Sequence, residues 1–383
     1  MALFLLMAVA AGCALPAPSG DAPLRYRDFV FSSVSVTSDL SYGSAPDLQG
    51  NPVDLRLDLY QPTGDTALRR PAIVWIHGGG FTGGGKLNAN IVEYARRYAR
   101  LGYVAVSIDY RLLAGEGCGG NPEPTPECRN AALAAQHDAQ AAVRWLRSRA
   151  ATHRIDPSRI AVAGSSAGAV TALLVGTNRA DVGNSGNPGF DSAVGGVASL
   201  SGGLPTNETI DAGDAPTIFF HGSLDTTVPQ SWADSNAAAL RAAGDFVTFH
   251  AFPDTGHGLG AHRTFITQQS SYFFYYMLDL AGADGSPQSA VSAARGASGS
   301  AAGTRRWSGT DARRLGTIAA ARSSRLRWRV SRRTATLVVN GRAVPLGRQA
   351  LRGAVTVPGG VYRDVRVRGA GRWSLQLAPA AGR

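Results

Sequence analysis

Ile160-Ala161-Val162-Ala163-Gly164-Ser165-Ser166-Ala167-Gly168-Ala169-Val170-Thr171-Ala172-Leu173-Leu174 is the stretch whose reading decides the fold. Four β-prone apolar residues run straight into a G-x-S-x-G pattern, and an apolar helical stretch, 167–177, follows without a linker. A chain that passes from strand to helix within one residue must turn tightly. That turn exposes the Ser166 Oγ, and glycines two positions either side relieve the crowding. The bare pattern is common by chance, so its weight comes from the strand before it and the helix after it. A serine exposed in this way is a candidate nucleophile, which needs a base within hydrogen-bond reach and a partner that fixes the base's tautomer.

Outward from this turn, residues 28–281 alternate short apolar runs with helical stretches, as a doubly wound, mostly parallel sheet does. The segment 53–59 (Val-Asp-Leu-Arg-Leu-Asp-Leu) alternates with period two and reads as a half-exposed strand near the sheet edge. Segments 72–76, 103–108, 160–163 and 217–220 are continuously apolar, the pattern of strands covered by helices on both faces. Helices are expected at 88–101, 131–150, 167–177 and 230–243, a last strand at 247–252, and a closing helix at 262–280.

His77-Gly78-Gly79-Gly80-Phe81 follows another buried strand. Acyl transfer needs backbone N–H donors aimed at a developing oxyanion, and residues without side chains let the backbone come close to the substrate. A glycine-rich reversal of the chain is the alternative reading, and Ser166 weighs against it. Gly83-Gly84-Gly85-Lys86-Leu87 is not a phosphate-binding loop, because the spacing is wrong and no Ser or Thr follows the lysine.

Seven histidines compete for the role of base. In enzymes whose serine sits on a strand-turn-helix elbow, acid and then histidine follow on loops after successive later strands. His257, in Thr255-Gly256-His257-Gly258, lies on such a loop; His262 opens the closing helix and reads as a solvated surface residue. His250 alternates within a strand and reads as structural. His221 ends a strand and is expected to shape the site without titrating. The acid is expected in His221-Gly222-Ser223-Leu224-Asp225-Thr226-Thr227-Val228-Pro229, where Asp225 can meet His257; Asp254 is the nearest competitor. Asp109, Asp138 and Asp156 have local explanations: a nearby pairing, a place on a helix, and a turn before Pro157.

Taken in chain order, the 77–81 glycine run, Asp109-Tyr110-Arg111, Gly164-Ser165-Ser166-Ala167-Gly168, the 221–229 segment and Gly256-His257-Gly258 resemble the carboxylesterase and hormone-sensitive-lipase-like branch of the α/β-hydrolases. The resemblance spans about residues 28–280, and five motifs in the right order make it specific. It implies an oxyanion hole formed by the backbone N–H groups of Gly79, Gly80 and Ala167. It also implies two-step hydrolysis of a small-molecule ester of short to medium acyl length through an acyl-serine, with no metal or organic cofactor. A serine amidase or peptidase, or a non-catalytic envelope-binding protein on the same scaffold, are the alternatives. The aromatic run Tyr272-Phe273-Phe274-Tyr275-Tyr276 could be cited for lipid contact, but in a closing helix it reads as core.

Length and charge divide the chain. Residues 304–383 carry 18 Arg, no Lys and two acids, a net charge of +16, which leaves −5 for the preceding residues of a +11 chain of 383. The segment 282–303 is rich in Ala, Ser and Gly without apolar period and reads as a flexible linker. Beyond it, short alternating segments separated by Asn340-Gly341 and Pro358-Gly359-Gly360 suggest a small all-β, sandwich-like module of about 75 residues. Its charge suggests an acidic cell-envelope polymer as a partner. Nucleic acid is the rival, disfavoured because tryptophans in such a module usually form its core and because export separates it from intracellular nucleic acid.

Residues 1–12 hold no charged side chain, enough for the apolar region of an export signal and too few to span a bilayer. The expected organisation is therefore an export signal at 1–20, a catalytic domain at 21–281, the linker at 282–303 and the Arg-rich module at 304–383, in a secreted or envelope-associated protein. Ala10-Ala11-Gly12-Cys13 resembles a lipoprotein cleavage site, which would make Cys13 a lipidated first residue. Ala10 stands where that pattern prefers Leu, and no Lys or Arg precedes the run, so ordinary cleavage near residues 12 to 17, or a misplaced start codon, are the alternatives. No transmembrane span is expected. Export permits disulfides, and Cys118 and Cys128 flank a Gly/Pro-rich loop. A bridge between them would contribute roughly 3 kcal/mol by restricting the unfolded chain; two free thiols are the alternative.

Overall fold

The computed structural model describes residues 14–18, 20, 22–115, 118 and 124–281, together with the backbone of eight strands between 305 and 379. Cys13, most of the 1–20 segment, the 282–303 segment and the side chains of the Arg-rich module lie outside the described residues. The chain divides into two compact units, Met1–Ala293 and Ala294–Arg383.

In the first unit the elements run β1 (Val34–Pro46), β2 (Pro52–Pro62), β3 (Arg70–Ile76), α1 (Ala89–Leu101), β4 (Val104–Ile108), α2 (Pro126–Ser148), α3 (Ala150–His153), β5 (Ile155–Ser165), α4 (Ala167–Thr177), β6 (Val197–Leu200), β7 (Thr217–Gly222), α5 (Gln230–Ala243), β8 (Val247–Phe252), a 3-10 turn (Gly260–His262) and α6 (Arg263–Met277). They form one eight-stranded sheet in the order β1-β2-β4-β3-β5-β6-β7-β8. β2 is antiparallel to both β1 and β4, and every later pairing is parallel. This is the α/β-hydrolase sheet that the motif order implies.

Side chains alternate across the pleat, so one apolar strand feeds two cores. Val74 and Ile76 of β3 pack with Ala135, Ala142, Leu173 and Leu240 from α2, α4 and α5. Ile73 and Trp75 pack with Ile91, Tyr98, Ile266 and Phe273 from α1 and α6 on the other face. Trp75 stacks on Tyr94 at 4.7 Å between ring centroids. The aromatic run of α6 serves this second core: Phe273, Phe274 and Tyr275 are buried, and only Tyr276 is exposed.

Helix ends follow local chemistry. Asn88 caps α1 through its side chain, and Gly102, at φ 109°, closes it in the left-handed region. α2 begins at Pro126, five residues before the alternation suggests, because Thr125 caps it and proline at the first helical position costs no hydrogen bond. It stops at Ser148, and a four-residue α3 replaces the expected continuation. Two strands go beyond the sequence reading. β1 is an edge strand with most residues outward and two register shifts, so its apolar period is lost. β6 is four residues long, too short for any period to register.

The second unit holds two four-stranded antiparallel sheets, β10 (Arg313–Ala320)-β15 (Gly360–Arg368)-β12 (Thr336–Val339)-β13 (Arg342–Pro345) and β14 (Arg352–Val357)-β11 (Ser324–Val330)-β16 (Trp373–Pro379)-β9 (Arg305–Gly309). Val339 pairs with Arg342 at the end of the antiparallel β12–β13 pair, and Asn340-Gly341, the expected turn, lies outside the described residues. β14 and β15 lie in different sheets, and Pro358-Gly359 between them lies outside the described residues.

Candidate active site

β5 ends at Ser165 and α4 starts at Ala167, leaving Ser166 alone at the junction with φ 57° and ψ −125°. This backbone region is sparsely populated for a residue with a side chain and costs about 1–3 kcal/mol. Close packing holds it. A Cβ on Gly164 would lie 2.0 Å from the Gly168 carbonyl oxygen, and one on Gly168 would lie 2.2 Å from that of Ile76, so both positions of the elbow exclude any side chain. The Ser166 N–H donates to Leu200 O at 2.9 Å, and its carbonyl accepts the N–H groups of Ala169 and Val170.

The loop after β8 brings His257 Nε2 to 2.8 Å from Ser166 Oγ. The loop after β7 brings Asp225 Oδ2 to 2.8 Å from His257 Nδ1. A carboxylate only accepts, so the Nδ1 facing it carries the proton, and Nε2 is left as acceptor for the Ser166 hydroxyl. The Asp225 side chain is fully buried, whereas that of His257 is 29% exposed. Burial alone would raise the Asp225 pKa. Hydrogen bonds from His221, His257 and the Val228 N–H outweigh it and hold the carboxyl well below its usual range.

His221 is closer to the chemistry than its place at a strand end suggests. Its Nε2 lies 2.9 Å from Val228 O and 3.2 Å from Asp225 Oδ2, both acceptors, so Nε2 carries the proton. Asp225 Oδ1 accepts from Thr227 N at 2.9 Å and Val228 N at 3.0 Å. Two backbone donors and two imidazoles thus surround one carboxylate.

The 77–81 loop lies against the nucleophile: a Cβ on Gly78 would sit 3.0 Å from Ser166 Cβ and 2.9 Å from Ser165 O. Its carbonyls are held in turn. His77 Nδ1 lies 2.6 Å from Gly78 O, and Gly79 O accepts from Thr82 N and Gly83 N. In a trans peptide the N–H points opposite its carbonyl, so these bonds leave the Gly79 and Gly80 N–H groups facing away from the turn. Gly79 at φ 123° and Gly80 at φ 59° take backbone conformations that favour glycine. Ala167, first residue of α4, has an N–H that no intrahelical carbonyl can take. Further tethers hold the loop. Cys118 N donates to Gly80 O at 3.0 Å and Leu113 N to Phe81 O at 2.7 Å. The His77 ring stacks on Tyr110 at 4.2 Å, and burial lowers its pKa.

Cys118 and Cys128 are joined by a disulfide. Asp109 accepts the Lys86 N–H at 2.7 Å, and Asp138 is buried in an ion pair with Arg111 at 2.8 Å. Asp254 is a turn residue at φ 57°. His250 is buried against Phe220. His262 is not a solvated surface residue: it stacks on Phe252 at 3.9 Å and lies 3.0 Å from Thr255 Oγ1, because the 3-10 turn folds it back over β8. Among the described residues no helix is long and apolar enough to cross a membrane.

Residues 57–202 match the family model described as BD-FAE, and residues 205–283 match the prolyl oligopeptidase family. Carboxylesterase NlhH of Mycobacterium tuberculosis is 39% identical over 114 residues, which cover 30% of this chain and 31% of that protein. Phenmedipham hydrolase of Pseudarthrobacter oxydans is 39% identical over 122 residues, covering 30% and 21%. The chain thus spans about a third or less of the length of these relatives. Among solved structures, esterase 2 of Thermogutta terrifontis phosphorylated by paraoxon superposes with a TM-score of 0.50 at 25% identity, covering 64% of this chain and 95% of that one. A truncated carbohydrate esterase from gut microbiota shares the fold at a TM-score of 0.52 and 21% identity, covering 66% and 98%. Sheet order, elbow and loop positions make the chain an α/β-hydrolase. Within that class the matched segments are similar to carboxylesterases.

Proposed function

We propose that this chain is a serine carboxylesterase that cleaves short to medium acyl esters through an acyl-enzyme. The observation that carries the reading is the unbroken relay from Ser166 Oγ to His257 Nε2 and from His257 Nδ1 to Asp225 Oδ2, each step 2.8 Å. In the first half-reaction Ser166 Oγ attacks the ester carbonyl carbon as His257 Nε2 takes its proton. The carbonyl oxygen becomes an oxyanion facing the N–H groups of Gly79, Gly80 and Ala167. Collapse of the tetrahedral species breaks the bond to the alcohol, which leaves with the proton from His257. Water then repeats the sequence on the acyl-serine, His257 again taking and returning the proton. Asp225, held as a carboxylate, stabilises the imidazolium formed at each stage.

Hydrolysis of p-nitrophenyl esters from acetate to palmitate by the full chain and by Ser166→Ala tests this. Cleavage of short esters, silence of the mutant and stoichiometric inactivation by paraoxon are expected. Equal inactivity of both proteins on every ester would refute it. The match of residues 205–283 to the prolyl oligopeptidase family favours a second reading, amide or peptide hydrolysis by the same groups; aminoacyl p-nitroanilides cleaved faster than esters would establish it.

Export and membrane attachment through Cys13 are proposals that rest on residues 1–13. Leu15 is buried, its N–H donating to Gln269 Oε1 at 2.6 Å, which favours cleavage on the amino side of Ala14. The mass of the mature amino terminus separates lipidated Cys13 from later cleavage. Retention by an acidic wall polymer through residues 304–383 is likewise proposed from charge, and salt-dependent binding to that polymer and to DNA tests it.

A further inference from the structure

We propose that Ser201 is a positioning residue that sets the base His257 against the nucleophile; the inference rests on the serine-hydrolase reading of the site. β6 runs between β5, which carries the nucleophile, and β7, which leads to the acid. Its last residue, Leu200, accepts the Ser166 N–H at 2.9 Å. The next residue, Ser201, donates its N–H to Phe220 O of β7 at 2.8 Å and its hydroxyl to the His257 carbonyl at 2.8 Å. Two consecutive residues therefore hold the backbone of the nucleophile and the backbone of the base. The contact between Ser166 Oγ and His257 Nε2 is referred to one fixed point on the sheet.

That point is rigid. Ser201 is fully buried and sits at φ 52°, a conformation that residues with side chains rarely adopt. Such a residue persists where its surroundings over-determine it, and these positions gather at functional sites. Here the following segment is wedged between two helices. A Cβ on Gly202 would lie 2.3 Å from Ala169 Cβ of α4, and one on Gly203 would lie 2.7 Å from Ala233 N of α5. Ser199 Oγ donates to Gly202 O at 3.1 Å and closes the turn.

The base needs such a hold. His257 lies between Gly256 and Gly258 on a loop without regular structure, and glycine leaves its backbone widely free. The bond to Asp225 fixes one point of the ring and leaves rotation about it. The Ser201 hydroxyl adds a second, at the backbone, so that Nε2 falls on the Ser166 hydroxyl. Displacements of about 1 Å between reacting groups cost up to about a hundredfold in rate.

Ser201→Ala removes the hydroxyl alone, while Ser201→Gly also relieves the positive φ. In the full chain both are expected to lower kcat on a short p-nitrophenyl ester by about tenfold with KM within about twofold. The glycine variant should unfold no more easily than wild type. In both, the low-field proton resonance of the His257 Nδ1–H should broaden or weaken. A purely structural role would lower the unfolding midpoint and leave kcat and the resonance unmoved at temperatures where the fold is intact. Wild-type kcat in either variant, or an unchanged resonance, would overturn the inference. If wild type itself hydrolyses no ester, the functional reading fails separately, and the resonance alone decides whether Ser201 positions His257.

Discussion

Replacing Asp225 by Asn tests the site where its logic is tightest. The change keeps size and shape, so its effect depends on which way the amide turns. With its oxygen toward Thr227 N and Val228 N, the new NH2 faces His257 Nδ1 and His221 Nε2. Both imidazoles must then switch tautomer; His221 gives up its bond to Val228 O and moves its proton to the buried Nδ1, which has no partner among the described residues, a net loss of about 2 kcal/mol. The opposite orientation leaves two buried backbone N–H groups against an NH2, at about 1–3 kcal/mol each. The first orientation wins, and it protonates His257 Nε2. A protonated Nε2 cannot accept the Ser166 hydroxyl, so the nucleophile has no base although every heavy atom stays in place. A loss of about four orders of magnitude in kcat is expected, about 5.5 kcal/mol of barrier, with KM nearly unchanged. Initial rates on p-nitrophenyl butyrate across pH, with circular dichroism to verify the fold, measure it. More than a tenth of wild-type kcat in Asp225→Asn, or an equal loss in Asp254→Asn, would refute the assignment.

His250, buried against Phe220 and Phe265, has its pKa lowered by burial to about 4. The unfolded chain, at about 6.5, binds this proton first, so the stability the neutral ring contributes is present above about pH 6.5 and lost as pH falls toward 4, about 3 kcal/mol in all. His250→Phe should flatten that part of the urea-midpoint profile, and an unchanged slope would show that another group carries it. Replacing both Cys118 and Cys128 with Ser should cost about 3 kcal/mol of stability and lower kcat, since Cys118 N–H holds Gly80 O. Reductant should do the same to wild type, and a reduced enzyme of unaltered midpoint would show that the bridge does not contribute.

The elements that the sequence makes legible are those whose constraint is local. The elbow declares itself because Gly164 is dictated by the Gly168 carbonyl within the same turn, even though Gly168 answers to the distant Ile76 carbonyl, and α5 because its amphipathic period survives in the chain. β3 to β5 are readable as buried strands because helices cover both faces. β1 escapes for the opposite reason: with one side to solvent and bulges near Asp39 and Tyr42, no period survives. His262 is misjudged because its surroundings depend on the 3-10 turn, which its neighbours in sequence do not announce.

The same distinction explains why nucleophile, acid and base can be found from order along the chain while the residues that fix their distances cannot. Ser166, Asp225 and His257 lie on loops whose glycines and turn residues mark them. Ser201 lies 56 residues before the carbonyl it holds, and His221 shares Asp225 only because the 221–229 turn brings a strand end back over its own loop. Such contacts arise when β5, β6, β7 and β8 pair in register and bring their carboxyl ends to one rim. A parallel sheet therefore does more than present loops side by side. Because neighbouring strands cannot slip by one residue without sending the side chains of one core into the other, it fixes the ends of Ser165, Leu200, Gly222 and Phe252 relative to one another. The 2.8 Å spacings of the relay are set by strand register first and by side-chain choice second.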